Sequence, residues 1–241
     1  MNYNVISFYR YTSLKNPPQI KQWIQELCKQ HQILGRILIA EEGINGAICG
    51  AMEEIKLFKQ ALETEFPALT YRELPANAKV YHKLVVRIRP EIVKFVVPVN
   101  PNNKGTHLPP QQLKAWYDQK KSFTIIDSRN EYEYDVGKFK NAVKMPIRTF
   151  REFPKAAQQL QHLKDQTLVL YCTGGIRCEK ASAYLKEQGF HDVYQIEGGI
   201  INYVNQLPNT YWKGNLFVFD DRLIAETGEA ITHCRFCNTK S

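Results

Sequence analysis

The order of apolar and polar positions changes character on either side of a stretch rich in proline, asparagine and glycine, residues 98–110. Before it, residues 4–11 carry aromatic and β-branched side chains and predict a strand. Pro17-Pro18 opens a helix with Ile20, Trp23, Ile24 and Leu27 at helical spacing. Residues 35–41 and 44–49 predict two strands joined by Glu42-Gly43. Residues 52–66 predict a second helix, with Ile55, Phe58 and Leu62 along one stripe, and residues 79–89 a last long strand. The order β-α-β-β-α-β is that of a ferredoxin-like sandwich.

After the proline-rich stretch, helices predicted at 111–120, 150–163 (around Pro154), 179–188 and 199–206 alternate with short apolar strands at 123–127, 167–171 and 193–196. Continuous apolar strands separated by helices predict a parallel sheet covered on both faces. The expected organisation is α/β: a ferredoxin-like (acylphosphatase-like) domain over 1–97, a linker over 98–110, an α/β domain over 111–208 and an extension over 209–241 with a strand at 216–219.

Composition adds bounds. With 44% hydrophobic and 23% charged residues the chain has a globular composition. No run approaches the roughly 18 apolar residues of a spanning helix, so no membrane is expected. The first residues lack the pattern of a signal peptide, so the expected compartment is the cytoplasm. Six cysteines at 28, 49, 172, 178, 234 and 237 are too few for a disulfide scaffold. The net charge of +8 favours a polyanionic partner weakly, and a merely basic protein accounts for it equally.

The segment Tyr171-Cys172-Thr173-Gly174-Gly175-Ile176-Arg177-Cys178 holds the candidate chemistry. A buried strand ends at Tyr171, a helix begins near Arg177, and two glycines lie in the turn between. Ligands of open α/β sheets bind at the carboxyl ends of strands, where Cys172 falls. Glycines let backbone N–H groups crowd toward one point, the helix N-terminus adds donors and partial positive charge, and Arg177 adds a full charge. All favour a thiolate at Cys172 and would stabilise an anion held by Thr173, Gly174, Gly175, Ile176 and Arg177. An inert buried thiol is the plainer account of an isolated cysteine, and here the glycine pair and the arginine weigh against it. Cys178 is either a core residue of the first helical turn or a resolving thiol for Cys172.

The loop YCTGGIRCEKASAYL resembles the active loop of rhodanese-like domains, in which the cysteine carries sulfur as a persulfide. Asp127-Ser128-Arg129 resembles the Asp-x-Arg element of that family, which implies active-site support by Asp127 and Arg129. Residues 131–142 resemble its E-(Y/F)-x-x-G-H-I-x-x-A stretch, with Lys138 where histidine is usual, and Glu197-Gly198-Gly199 its late glycine pair. The loop is C-x4-R, against the longer C-x5-R of related phosphatases. Together, CTGGIRCEKAS, GRILIAEEGINGAI and EGGIINY resemble the tRNA uridine hydroxylase family. That resemblance implies oxygen-dependent 5-hydroxylation of the wobble uridine, with tRNA as partner, molecular oxygen as co-substrate and no identified cofactor. A small-molecule or protein-persulfide sulfurtransferase, and a non-catalytic rhodanese-fold interaction module, remain as alternatives. The oligomeric state is open.

In the predicted strand 79–89, one face carries Lys79, Tyr81, Lys83, Arg87 and Arg89. Cations contact phosphates and an aromatic stacks on bases, so this face is a candidate RNA surface. A solvated edge face explains the same charges. In Glu41-Glu42-Gly43-Ile44-Asn45-Gly46 the two carboxylates read as acid–base groups or as a solvated hairpin turn, and the turn is favoured. The resemblance raises the standing of Glu42 and Asn45 without giving either a role. His233-Cys234-Arg-Phe-Cys237 is half of a zinc-ribbon pattern, while a tetrahedral site needs four ligands. The resembled family often continues into a cysteine-rich region, but no second CxxC follows here. Ordered zinc is not expected.

Overall fold

A computed structural model describes residues 3–227, in two compact units. His233, Cys234 and Cys237 lie outside the described residues. The first unit runs to Val93 and takes in Phe219–Arg222; the second is Lys94–Val218 with the described residues from Leu223.

The first unit comprises β1 (Tyr3–Tyr11), α1 (Pro17–Gln30), β2 (Leu34–Ala40), β3 (Gly43–Ala51), α2 (Met52–Glu65), β4 (Thr70–Ala76) and β5 (Leu84–Ile88). The sheet order is β4-β1-β3-β2-β5. The first four strands pair antiparallel, as a ferredoxin-like sandwich requires, and β5 adds parallel to β2. Ile6 and Phe8 of β1 meet Ile24, Ile55, Phe58 and Leu62 of the helices in the core.

Three expectations are corrected here. The fourth strand of the sandwich is β4, where no strand was expected, and residues 79–89 supply only the short edge strand β5. Pro75 hid β4, but an edge strand tolerates proline, and β4 is an edge strand. The chain between β4 and β5 must cross from one edge of the sheet to the other, so residues 77–82 do not extend the ladder, and Lys83 joins it only by accepting the Gly35 N–H at 3.1 Å. Asp221 donates its N–H to the Val80 carbonyl at 2.9 Å along that crossing. The hairpin turn is Glu41-Glu42, one residue earlier than expected, because Ala40 pairs with Gly43.

That hairpin has a structural duty. Glu42 Oε1 accepts the Ile92 N–H at 2.7 Å, and Asn45 Nδ2 donates to the Ile92 carbonyl at 2.9 Å. Ile92 is fully buried. Its backbone donor and acceptor are thus satisfied by two side chains of one hairpin, as buried amides demand.

The second unit comprises β6 (Thr106–Leu108), α3 (Pro110–Asp118), β7 (Thr124–Asp127), α4 (Glu131–Val136), β8 (Gly137–Phe139), β9 (Val143–Lys144), α5 (Phe153–Ala156), β10 (Leu168–Tyr171), α6 (Ile176–Glu187), β11 (Val193–Ile196), α7 (Gly199–Gln206), β12 (Trp212–Gly214), β13 (Leu216–Phe217) and β14 (Ile224–Ala225). Its parallel sheet has the order β6-β11-β10-β7-β9. The central strand β10 is buried at every residue, which is why it reads as an unbroken apolar run. The helix expected over 150–163 is one α-turn at Phe153–Ala156 flanked by 3-10 turns. Pro154 has no N–H to donate to a preceding turn.

The expected linker is also corrected. Residues 98–110 hold a 3-10 turn at Pro101–Asn103 and the edge strand β6. Polar contacts pin this stretch to α6. Glu179 accepts from Lys104 Nζ at 2.9 Å and pairs with His107 Nε2 at 3.1 Å, and the Gly105 N–H donates to Ser182 Oγ at 2.8 Å. Burial pushes the Glu179 carboxyl up, but the contacts from His107 and Lys104 and their charges outweigh it and hold its pKa down at about 2. A depressed carboxylate stabilises the fold above its unfolded pKa of about 4.3, and that contribution is lost as pH falls toward the folded value. Glu179→Gln is therefore expected to cost about 1–3 kcal/mol at neutral pH. Paired urea denaturation curves should show the gap to wild type narrowing as the pH drops below about 4; a gap independent of pH would contradict this account.

Candidate active site

The site is built where β10 stops. Cys172 is the first residue beyond the strand, and α6 begins at Ile176. Gly175 takes φ +96°, a left-handed value that suits glycine, and turns its N–H onto Cys172 Sγ at 3.1 Å. A second glycine closes the loop from behind. Gly199, at φ +68°, lies so near that a Cβ on it would fall 2.5 Å from the Cys172 carbonyl and 2.7 Å from the Gly175 nitrogen. The N–H groups of Ile200 and Ile201 then donate to the carbonyls of Cys172 and Thr173 at 3.0 and 3.1 Å.

Arg177 shapes the loop through a carboxylate. Its Nη1 and Nη2 each lie 2.7 Å from an oxygen of Glu133, a bidentate pair. The Glu133 and Arg177 side chains are 0% and 8% exposed. Thr173 Oγ1 is 3.3 Å from Arg177 Nη2 and 3.4 Å from Glu133 Oε1. Glu133 is itself held by a capping box: it sits at the third position of α4 and accepts the Asn130 N–H at 3.1 Å. Burial raises the Glu133 pKa, and the Arg177 guanidinium, assisted by Arg129 and the Asn130 amide, more than reverses this and keeps it ionised.

Cys172 is fully buried. Burial alone would push its thiol up. A hydrogen bond from Cys178, the Arg177 charge and the amides of Cys178 and Arg177 outweigh it and bring the pKa down to about 6. Cys178 moves the other way, held well above the ordinary thiol range by burial and by the neighbouring Cys172 charge. Cys178 Sγ also lies 3.5 Å from Ser128 Oγ, and Ser128 Oγ donates to the Tyr171 carbonyl at 2.7 Å. With the serine proton committed to that carbonyl, the one proton of Cys178 is available to the Cys172 sulfur. Within this geometry Cys178 is a proton-bearing donor.

The fold thus brings together Cys172, Thr173, Gly175, Arg177 and Cys178, with Gly174 and Ile176 half-buried in the same turn. Asp127 and Arg129 face elsewhere. Arg129 Nε and Nη2 close on the Asp127 carboxylate at 2.9 and 2.6 Å, and Nη2 reaches the Gly137 carbonyl at 2.6 Å. The guanidinium lies near the rings of Tyr171 and Trp212, 5.5 and 5.4 Å from their centroids. This buried pair packs under the strand end that carries the cysteine. Lys79, Lys83, Arg87 and Arg89 belong to the first unit and are exposed. Tyr81 is not among them: it is half-buried, and burial, with Asp220 nearby, pushes its hydroxyl pKa up. Three contributors lay outside the expected site: Ser128, Glu133 and Gly199. Glu133 had a legible signal, since Asn130-x-x-Glu133 is a capping-box spacing. Ser128 had none. Among the described residues no cluster of three or more His, Cys, Asp or Glu is arranged to hold a metal, and no helix is long and apolar enough to cross a membrane.

Two family models match the chain: the UPF0176 acylphosphatase-like domain over residues 3–92 and the rhodanese-like domain over residues 109–206. The chain is 38% identical to a tRNA uridine(34) hydroxylase of Cytophaga hutchinsonii, covering 100% of this chain and 79% of that protein. It is 40% identical to the Legionella pneumophila (strain Paris) protein of the same name, covering 92% and 90%. The chain belongs to the tRNA uridine(34) hydroxylase family. Among solved structures, the rhodanese-like domain of an Anabaena protein aligns at 24% identity and a TM-score of 0.38, covering 45% of this chain and 78% of that one. In the family's terms, the Cys172 loop lies in the rhodanese-like segment and the ferredoxin-like sheet in the acylphosphatase-like one.

The proton balance around Cys172 is testable. Cys178→Ala removes the donor and should raise the Cys172 pKa from about 6 toward the ordinary thiol range. Cys178→Ser keeps an O–H donor and should raise it less. Thiolate ultraviolet absorbance titrated in each variant, with Cys172→Ser as baseline, reads the midpoint. An unchanged midpoint in Cys178→Ala would remove Cys178 from the account.

Proposed function

We propose that this chain hydroxylates C5 of the wobble uridine of tRNA, with Cys172 as the reactive group and the first unit as the part that holds RNA. The observation that carries this reading is the buried, thiolate-favouring Cys172 on its amide-lined loop, in a chain whose relatives over more than nine-tenths of its length are named tRNA uridine(34) hydroxylases. Replacing C5–H by C5–OH is a two-electron oxidation of the ring; with molecular oxygen as the proposed co-substrate, one oxygen atom enters the ring and the other leaves as water, taking two electrons and two protons from an external reductant of the thiol class. A tRNA substrate supports the cytoplasm as the proposed compartment.

The chain's own residues then have distinct duties. Cys172 presents an ionised sulfur near neutral pH. Gly175 holds that sulfur through its N–H, Cys178 donates to it, and the amides at the start of α6 favour negative charge beside it. Arg177 contributes its charge from the ion pair with Glu133, so it positions the loop and lowers the thiol pKa while its guanidinium is already bound. A thiolate can add to the electron-poor C6 of a uracil ring, and it can carry a terminal sulfur; either requires the fully buried Cys172 to be opened to its substrate. The second ability keeps a sulfurtransferase as the runner-up, favoured by the six-residue loop and by the rhodanese-like match over residues 109–206. Cys178 held as a thiol is suited to donating a proton and poorly suited to attacking sulfur as a resolving nucleophile.

RNA would meet the first unit through exposed cations. In register, Arg36 and Leu38 of β2 lie opposite Val85 and Arg87 of β5, which puts Arg36 and Arg87 on one face. Lys79, Lys83 and Arg89 are exposed on the flanking chain.

Two experiments test these assignments. tRNA digests from a deletion strain should lack 5-hydroxyuridine derivatives, which return with the intact gene and stay absent with Cys172→Ser. Normal tRNA in the deletion strain would refute the hydroxylase reading, and persulfide transfer retained without any tRNA defect would favour the sulfurtransferase. Separately, changing Lys83, Arg87 and Arg89 together to Gln should weaken tRNA binding and reduce the slope of log affinity against log salt by about 2–3. An unchanged affinity and slope would remove these cations from the interface.

A further inference from the structure

The first unit carries a cleft that the chemistry at Cys172 does not use. It opens beside the loop joining β1 to α1 and has a volume of about 710 Å³, within the usual range of small-ligand sites. Arg10 lines it, with Leu14 and Lys15 from the loop, Ile20 and Trp23 from α1, and Phe66 at the end of α2.

The position of Arg10 follows from strand periodicity. Side chains two apart on a strand share a face, so Arg10 continues the row of Ile6 and Phe8, which are buried beneath the helices. At the end of β1 that row opens into the cleft. Arg10 Nη1 is buried and has no hydrogen-bond partner among the described residues, whereas buried donors are nearly always satisfied. A guanidinium in the lining of a cleft, with donor capacity that the protein leaves unspent, suits an oxyanion, and its geometry suits phosphate. Lys15 adds a second, exposed cation at the rim.

The opposite requirement is met by the apolar side. Leu14, Ile20 and Trp23 are half-buried, pack against the core and supply the apolar side of the lining, the indole included. Indoles provide stacking faces for bases. Glu65 is also in the lining, an acceptor for a base N–H. The start of α1 adds little: Pro17 and Pro18 have no N–H, and the Gln19 N–H is taken by Asn16 Oδ1 at 3.3 Å. Anion recognition therefore falls to Arg10 and Lys15. The loop is itself held, since Thr12 and Leu14 donate their N–H groups to the carbonyls of Glu42 and Glu41 at 2.9 Å each.

We infer that this cleft binds one unpaired nucleotide of the RNA substrate, its phosphate on Arg10 and Lys15 and its base against Trp23. The inference rests on the tRNA reading above. Unpaired loop nucleotides are what proteins hold by splaying a base onto an aromatic surface, and an anticodon loop displays several beside the wobble position.

The test uses the full chain and a fluorescently labelled anticodon stem-loop, with binding read by anisotropy, so no turnover is required. Trp23→Leu and Arg10→Gln are each expected to weaken binding roughly tenfold, the scale of losing one stacked base. Trp23→Phe should recover most of the loss. If Arg10→Gln fails to fold, Lys15→Gln carries the phosphate arm, with a lower salt slope expected. Unchanged affinity in Trp23→Leu and in the cation variants would overturn the inference. Uridine 5′-monophosphate and adenosine 5′-monophosphate are titrated as free ligands. Displacement of either by Arg10→Gln with stem-loop affinity intact would mean a free-nucleotide site and would also overturn it. A wild-type chain that binds the stem-loop through this cleft, in a deletion strain whose tRNA proves normal, would sink the hydroxylase reading and leave the cleft standing.

Discussion

A carboxylate and a guanidinium, both out of water, hold the shape of the loop around Cys172. The pair of Glu133 with Arg177 joins two elements distant in sequence, α4 and α6, and each partner is meaningful only because the other is present. An isolated buried charge of either sign is strongly unfavourable, while a bidentate pair with further hydrogen bonds offsets the desolvation. The capping box fixes Glu133 from below and Thr173 bridges to it from the loop. Once Arg177 is fixed, its charge acts on the cysteine at a set place, and an ionised sulfur becomes tolerable in a fully buried position.

The same logic governs the other side of the loop, with sterics in place of charge. Gly199 is pressed against the loop backbone with no room for a Cβ, and α7 begins by donating to the loop's own carbonyls. The cysteine is therefore clamped between the first turns of two helices. Ser128 links it to the end of the neighbouring strand by committing its proton to Tyr171, which leaves the Cys178 proton for the reactive sulfur. Ser128, Glu133 and Gly199 thus hold the loop from three parts of the chain, while Cys178, Arg177 and the amides at the start of α6 bring the thiol pKa down.

In the first unit the organising constraint is sheet topology. With β4 and β5 on opposite edges, the chain must cross the sheet between them, and this crossing explains why a run that alternates well on paper, residues 79–89, is strand only at its end. The alternation over Leu84–Ile88 was legible because those residues do sit on a pleated surface. Over residues 79–83 the same alternation was an accident of composition. Tyr81 shows the consequence: it turns inward, where strand parity had placed it among exposed lysines. β4 was missed for the complementary reason, since Pro75 and its polar neighbours obscure an edge strand whose buried Arg72 lies under the Tyr9 ring at 4.6 Å.

Local chemistry was what the sequence by itself determined: apolar strand runs, the helix start at Pro17, the glycine turn after Tyr171, and the candidate cysteine within it. These depend on neighbours in the chain, and backbone propensity and periodicity report them directly. Tertiary structure alone decided which distant groups act on that cysteine and what the remaining polar residues are for. Glu42 and Asn45, ambiguous as a motif, serve the backbone of Ile92. Asp127 and Arg129 close on each other under the strand, and the stretch over 98–110 became an edge strand because Glu179 and Ser182 of α6 hold it. The difference has one physical cause: burial and charge pairing depend on what approaches through space, and sequence separation carries no record of that distance.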